Sequence, residues 1–217
     1  MRVGIVCEGS TDDRVLRAVC REVLGADGLV LTLLQPDMDA LQARAPGAGT
    51  GWQAVRAFLR QAGAGLAAAT FDILVIQVDA DLRLLPEIRK VLADSDSDAL
   101  DALCDHVKSW IPGGVPESAV IALPRESIEA WLVAAVTRMH DVEGLPKPVE
   151  DLCDAGLLER RDNGPYKDSK RYEALAAQLA PLLRDRRRLP KVPELERFAG
   201  KLAARANAVR KGARKRS

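Results

Sequence analysis

Long apolar runs are missing from this sequence: nothing approaches the roughly twenty consecutive apolar residues that span a bilayer, and no membrane partner is expected. Cysteine is scarce and scattered. Cys7, Cys20, Cys104 and Cys153 form no CxxC pair, which argues against a zinc site or a disulfide framework and makes a reducing, cytoplasmic environment the simplest expectation. Aromatic residues amount to 4%, which argues against base stacking as a binding mode. The only two histidines, His106 and His140, have no Cys or His at ligand spacing and read as surface or packing residues. The opening MRVGIVCEGSTDD turns acidic at its eighth residue, unlike a secretory signal peptide. There is no internal repeat, and the GAGTG stretch matches neither GxGxxG nor GxxxxGK[ST], so it reads as a flexible loop.

What is present is ample core material. Apolar residues make up 47% of the 217 and charged residues 29%, the balance of a soluble globular chain. The net charge of +1 conceals a split. Residues 1–150 carry 14 Lys/Arg against 22 Asp/Glu, a net of −8, and residues 151–217 carry 18 against 9, a net of +9. An acidic body with a basic last third invites a polyanionic partner.

Strand and helix signals alternate through the first 140 residues. RVGIVC (Arg2 to Cys7) is a short apolar run of buried-strand length that stops at Glu8-Gly9. A helix should follow, capped by Ser10 or Thr11, with Asp12 and Asp13 at its positive end and Val15, Leu16, Val19, Val23 and Leu24 as its apolar stripe. Leu29 to Leu34 is a second strand, and Trp52 to Ala69 a helix. FDILVIQV (Phe71 to Val78) is the clearest strand and ends at Asp79-Ala80-Asp81. Leu82 to Pro112 reads as helical around a DSDSD patch, Ala119 to Leu123 as a fourth strand, and Glu126 to Met139 as a helix. This alternation predicts an α/β fold: a mostly parallel four-stranded sheet with helices on both faces. Beyond residue 140 strand signals vanish, and prolines punctuate short helices near 148–157, 169–183 and 193–210. The division expected is 1–140 as the α/β domain and 141–217 as a basic helical extension packed on it.

In an open parallel sheet the functional crevice lies beyond the carboxyl ends of the strands. Three of those ends deliver carboxylates: Glu8, then Asp79 and Asp81, then Glu126 and Glu129. Asp12 lies one helical turn past Glu8. Carboxylates this close repel and raise one another's pKa unless a cation offsets them, and a hard divalent ion is the economical solution. If the chain stays extended through Asp79-Ala80-Asp81, the two aspartates share a side. The dense run Arg184 to Lys191 is a solvated face or a phosphate-contact patch, with Arg186, Arg187, Arg188 and Lys191 the candidates for nucleic-acid contact.

A strand into CEGSTD, a later strand into VDAD, and then PRESIEAWLVA resemble a Toprim domain. The likeness is to the small stand-alone bacterial Toprim-like proteins related to the OLD-family nucleases. The resemblance implies a Rossmannoid fold and Mg²⁺- or Mn²⁺-dependent cleavage of phosphodiester bonds in DNA or RNA. Carried across, Glu8 is the motif glutamate, Asp12 the second acid, Asp79 and Asp81 the DxD pair, and Glu129 to Val133 the EAWLL-type segment. Glu8, Asp79 and Asp81 would hold one ion, and Asp12 with Glu129 would complete a second site about 4 Å away. Tyr166-Lys167 matches a later Tyr-Lys pair, so Lys167, or else Lys170, would neutralise the phosphate. Two departures stand out: Ala134 and Ala135 occupy the place of a further acid, and no Tyr lies beside the metal motif in sequence. The resemblance also allows an ATPase partner in genome defence, or a catalytically silent module that binds nucleic acid or such an ATPase. A receiver-like or phosphatase domain is a third reading, weakened by the lack of a fifth strand.

Overall fold

In a computed structural model, which describes residues 1–43, 49–93, 98–139, 141–162 and 164–214, the four apolar runs pair side by side. They form β1 (Arg2–Val6), β2 (Val30–Gln35), β3 (Ile73–Gln77) and β4 (Ala119–Ala122). All pairings among these four are parallel, in the order β2-β1-β3-β4. Every residue of the central strand β3 is buried, as a parallel strand covered on both faces requires, which is why its sequence is apolar without alternation. Gly4 in β1 serves close approach. A Cβ there would lie 2.8 Å from Leu34 Cδ1 and 3.1 Å from the Phe71 ring, so those two side chains would have to give way.

Helices cover both faces, as the alternating pattern predicts. On one side Leu74, Ile76, Val78 and Ile121 meet α3 (Gly51–Ala69), α4 (Pro86–Ala93) and α5 (Ala99–Ser109). The short α2 (Met38–Gln42) follows β2. On the other side Val3, Ile5, Ile73, Val75 and Val120 meet α1 (Ser10–Leu24), α6 (Glu129–Val136) and the C-terminal segment. That segment holds α7 (Pro148–Asp154), α8 (Ser169–Ala176), α9 (Leu179–Arg184) and the long α10 (Pro193–Arg214). Its Tyr172, Leu175, Leu179, Leu195, Phe198 and Leu202 lie in the same buried cluster as Val15 and Trp131, and the Phe198 and Trp131 rings stack 5.9 Å apart.

A buried carboxylate joins the segments. Glu143, in a 3₁₀ turn at Val142–Gly144, accepts hydrogen bonds from Trp131 Nε1 at 2.9 Å and from the backbone N–H groups of Glu194 and Leu195 at 3.0 and 3.2 Å. It therefore satisfies first-turn amides of α10 from outside that helix, where negative charge is favoured.

Several local expectations are corrected. Gly9 holds the N-cap position of α1, without a side-chain cap, so neither Ser10 nor Thr11 plays that part. Helix α6 begins at Glu129, three residues later than expected. Strand structure does not end at residue 140. β5 (Glu159–Arg161) and β6 (Gly164–Tyr166) form a separate antiparallel hairpin, too short, polar and interrupted by Pro165 to leave an apolar alternation. The DSDSD patch (apart from Asp98), His140, Lys215, Arg216 and part of GAGTG fall outside the described residues. Among the described residues no helix is long and apolar enough to cross a membrane.

Candidate functional site

The sheet delivers Glu8 and Asp79 to neighbouring positions because β1 and β3 are adjacent and end together. Glu8 is fixed from several sides. Its Oε1 accepts the backbone N–H of Asp79 at 2.8 Å, and its carboxyl also accepts the backbone N–H of Trp52. Its own backbone C=O accepts the Gly51 N–H at 2.8 Å. The N-terminus of α3 is thereby seated on Glu8, where its unpaired amides and dipole favour a carboxylate. Gly51 carries φ of +79°, and a Cβ there would stand 3.9 Å from Glu8 Oε2, so this turn selects glycine. Asp79 Oδ1 accepts from Gln77 Nε2 at 2.8 Å and from the Ile128 backbone N–H at 3.1 Å. Fully buried Gln77 also receives the Glu8 N–H at 3.3 Å through Oε1. One amide side chain thus spans the ends of β1 and β3.

The C-terminal segment supplies the remaining polar groups. Glu129, 2% exposed at the start of α6, accepts Lys167 Nζ at 2.6 Å and the Tyr172 hydroxyl at 2.7 Å on the same oxygen. The Lys167 side chain is 48% exposed, so its stem and outer surface face solvent while the ammonium reaches inward. Asp12, on the first turn of α1, is buried. Asp81 is exposed, because the chain does not stay extended after Asp79 but turns into a 3₁₀ helix at Ala80–Leu84. Arg83 locks this turn, donating to the backbone carbonyls of Ala80 and Arg125 and pairing with Glu126.

The crevice carries more negative charge than it compensates. Burial, aided by Asp81, raises the Glu8 carboxyl to about 7 against the hydrogen bonds from Asp79 and Trp52. Burial and then Glu129 raise Asp12 to about 7. Asp79 is pushed well above its ordinary value by burial, then by Asp12, Glu8, Glu129 and Asp81. Asp81 is raised by partial burial and then by Glu126. Glu129 is the exception: burial opposes its charge, but the Lys167 ammonium and the hydrogen bonds from Lys167, Tyr172 and Ser127 hold it below the usual carboxylate range. Lys167 answers in kind, raised by Glu129, Asp12 and Asp79 against the cost of burial.

The five acids that the sequence nominates as metal ligands lie near one another at the strand ends, Asp79 within electrostatic reach of the other four, and Lys167 interacts with Glu8, Asp12, Asp79 and Glu129. The basic run lies elsewhere in role. Arg186, Arg187 and Lys191 are exposed, whereas Arg188 turns inward and donates to the backbone carbonyls of Ala134 and Thr137, the latter at 2.9 Å, closing the C-terminal end of α6. Arg184 pairs with Glu22 on α1. Sequence reasoning misses Gln77, Tyr172 and the N-terminus of α3. A Tyr does stand beside the acidic site in space, but Tyr172 is fully buried and its hydroxyl is committed to Glu129.

A hard divalent cation fits this donor set in chemistry and charge: only oxygen ligands, four carboxyls raised by burial and mutual repulsion, and one ammonium already engaged by Glu129. As the side chains stand, no three of them among the described residues close on a single point. Fold and crevice together define an α/β protein with an acidic site at the carboxyl edge of a parallel sheet. No protein-family model matches the chain, and no curated protein or solved structure matches it.

Proposed function

We propose that this chain is a Mg²⁺- or Mn²⁺-dependent phosphodiesterase acting on nucleic acid, built on a Toprim-like domain. The acidic cluster supports this most directly: among the described residues Glu8, Asp12, Asp79 and Glu129 share the Lys167 ammonium, while Asp81 beside them is offset by Arg83. Glu8, Asp79 and Asp81 would hold a divalent ion, with Asp12 and Glu129 beside them. Bound there, the ion supplies Lewis-acid stabilisation of a phosphoryl oxygen and a more acidic water. The chain's own groups hold the arrangement in place. Gln77 and the Trp52 and Asp79 amides fix Glu8, Gln77 and the Ile128 amide fix Asp79, and Arg83 fixes the turn that carries Asp81. Lys167, anchored on Glu129 but half in solvent, offers its charge to a phosphate entering from the rim.

Calorimetry with Mg²⁺ and Mn²⁺ tests the first step. The wild type should bind, and Asp79→Asn should weaken binding sharply. Single-stranded, duplex and RNA substrates should then be assayed with either metal, with Glu8→Gln expected to abolish cleavage while the thermal transition is retained. No divalent binding at millimolar concentration overturns the proposal. A second reading draws on the carboxylates that do not close on one point: a catalytically silent module that binds nucleic acid or an ATPase. Metal binding without cleavage of any substrate would favour it.

A further inference from the structure

The helix seated on Glu8 has an exposed face of a particular chemistry. Trp52, Gln53, Arg56, Ala57, Arg60 and Gln61 line a shallow cavity of about 390 Å³. An aromatic ring, two guanidinium groups and two amides thus share a patch with no acid among its described lining residues. Trp52, Arg56 and Arg60 are spaced by four residues, so they descend the helix in steps of about 6 Å from the rim of the acidic crevice. Trp52 is partly exposed, and its inner side rests near Trp110, with ring centroids 6.2 Å apart. Trp110 is itself held by His106, to which its Nε1 donates at 3.3 Å. The ring is therefore a supported platform. It offers one base a stacking partner in a chain whose 4% aromatic content argues against stacking along an extended surface. Among the described residues neither Arg56 nor Arg60 pairs with a carboxylate, and Arg56 Nε is buried without a hydrogen-bond partner. A buried donor without an acceptor is costly, and a phosphate oxygen would satisfy it once the half-buried Arg56 side chain swings outward.

We infer that the Trp52–Arg56–Arg60 face of α3 is a track for single-stranded nucleic acid, with a base stacked on Trp52 and phosphates on Arg56 and Arg60, leading the strand to the carboxylates. Single strands are favoured over duplexes because only an unpaired base can lie flat on the ring. The inference rests on the nucleic-acid reading of the crevice, but it concerns binding that needs no metal and so can be tested apart from catalysis.

The full chain, in chelator and at low salt, is titrated with oligo-dT, oligo-U and a duplex of equal length while tryptophan emission is followed. Trp110 and Trp131 are 2% and 0% exposed, so Trp52 is the ring a base can reach. A single strand, DNA or RNA, should quench the emission and the duplex should not. Trp52→Phe should abolish the quench while a labelled strand still binds within about threefold. Arg56→Ala/Arg60→Ala should weaken binding at least tenfold and lower the log–log salt slope by about 0.7 for each phosphate left without its arginine. Arg60→Ala alone, at an exposed site, keeps the test valid if the double variant disturbs packing. Absent quenching, or an unchanged affinity and slope in both arginine variants, overturns the inference. If those variants cleave substrate normally, the metal-dependent reading survives without this track; if quenching occurs but no substrate is ever cleaved, the track stands and the catalytic reading falls.

Discussion

Glu8 and Asp12 each titrate at about 7 in the folded chain, against an ordinary carboxyl value near 4, in both cases first because of burial. A group whose folded pKa exceeds its unfolded one contributes stability below the unfolded value and loses it as pH rises through the folded value. In chelator, urea unfolding should therefore show stability falling between about pH 4 and pH 7. Saturating Mg²⁺ should counter that fall, since an ion bound only by the native state stabilises by mass action and prefers the ionised acids. Stability that rises over the window in chelator would contradict the crowded, uncompensated crevice. Lys167 provides the complementary case. Lys167→Met strips the charge partner from buried Glu129 and leaves Tyr172 and Ser127 as its side-chain donors. The loss should be about 2 kcal/mol by denaturation, less than for a fully buried pair because half of Lys167 is in solvent. The acids are legible in the sequence because each follows a strand. Gln77 and Tyr172 are not, because one lies inside an apolar strand run and the other on an ordinary helix stripe, and only the fold turns them toward Glu8 and Glu129.

Elements show the same division between local and tertiary causes. All four sheet strands and the helices α1 and α3 lie near the positions that apolar runs and stripes predict, since burial on both faces leaves a strong sequence signal. The seating of α3 on Glu8 leaves none: Gly51 and the Trp52 N–H act through backbone, and GAGTG reads only as a loop. Arg188 shows how a charge run misleads. Read along the chain it is one of three consecutive arginines, yet the fold commits its guanidinium to the C-terminal carbonyls of α6, where a cation is favoured. Arg188→Ala should thus destabilise the protein by about 1.5–3 kcal/mol, the range for hydrogen bonds that involve a charged group. It should change the salt slope of nucleic-acid binding little. Arg186→Ala/Arg187→Ala, on exposed side chains, should do the reverse if the run contacts phosphate. Thermal melts and salt titrations on the two variants separate the roles.

At the scale of the whole molecule, the acidic body and the basic last third are chemically interlocked. Lys167 and Tyr172 enter the crevice from the C-terminal segment, Glu143 caps α10 from the 3₁₀ turn after α6, and Arg210 donates to the Leu24 carbonyl at the end of α1 at 2.7 Å. The sheet face formed by Val3, Ile5, Val75 and Val120, with α1 and α6 on it, shares one core with Leu152, Tyr172, Leu179, Leu195, Phe198 and Leu202. Removing residues 141–217 would uncover Trp131 and the apolar stripe of α1, each large side chain costing about 1.5–3 kcal/mol of burial against a typical total stability of about 5–15 kcal/mol. It would also leave Glu129 without either of its donors from the C-terminal segment. A fragment ending at residue 140 should therefore lack a cooperative thermal transition and expose surface that binds a hydrophobic dye, and it should bind no divalent ion. Circular dichroism melts and calorimetry on that fragment decide the point: a sharp transition with retained metal binding would mean that the first 140 residues carry both fold and site without the basic segment.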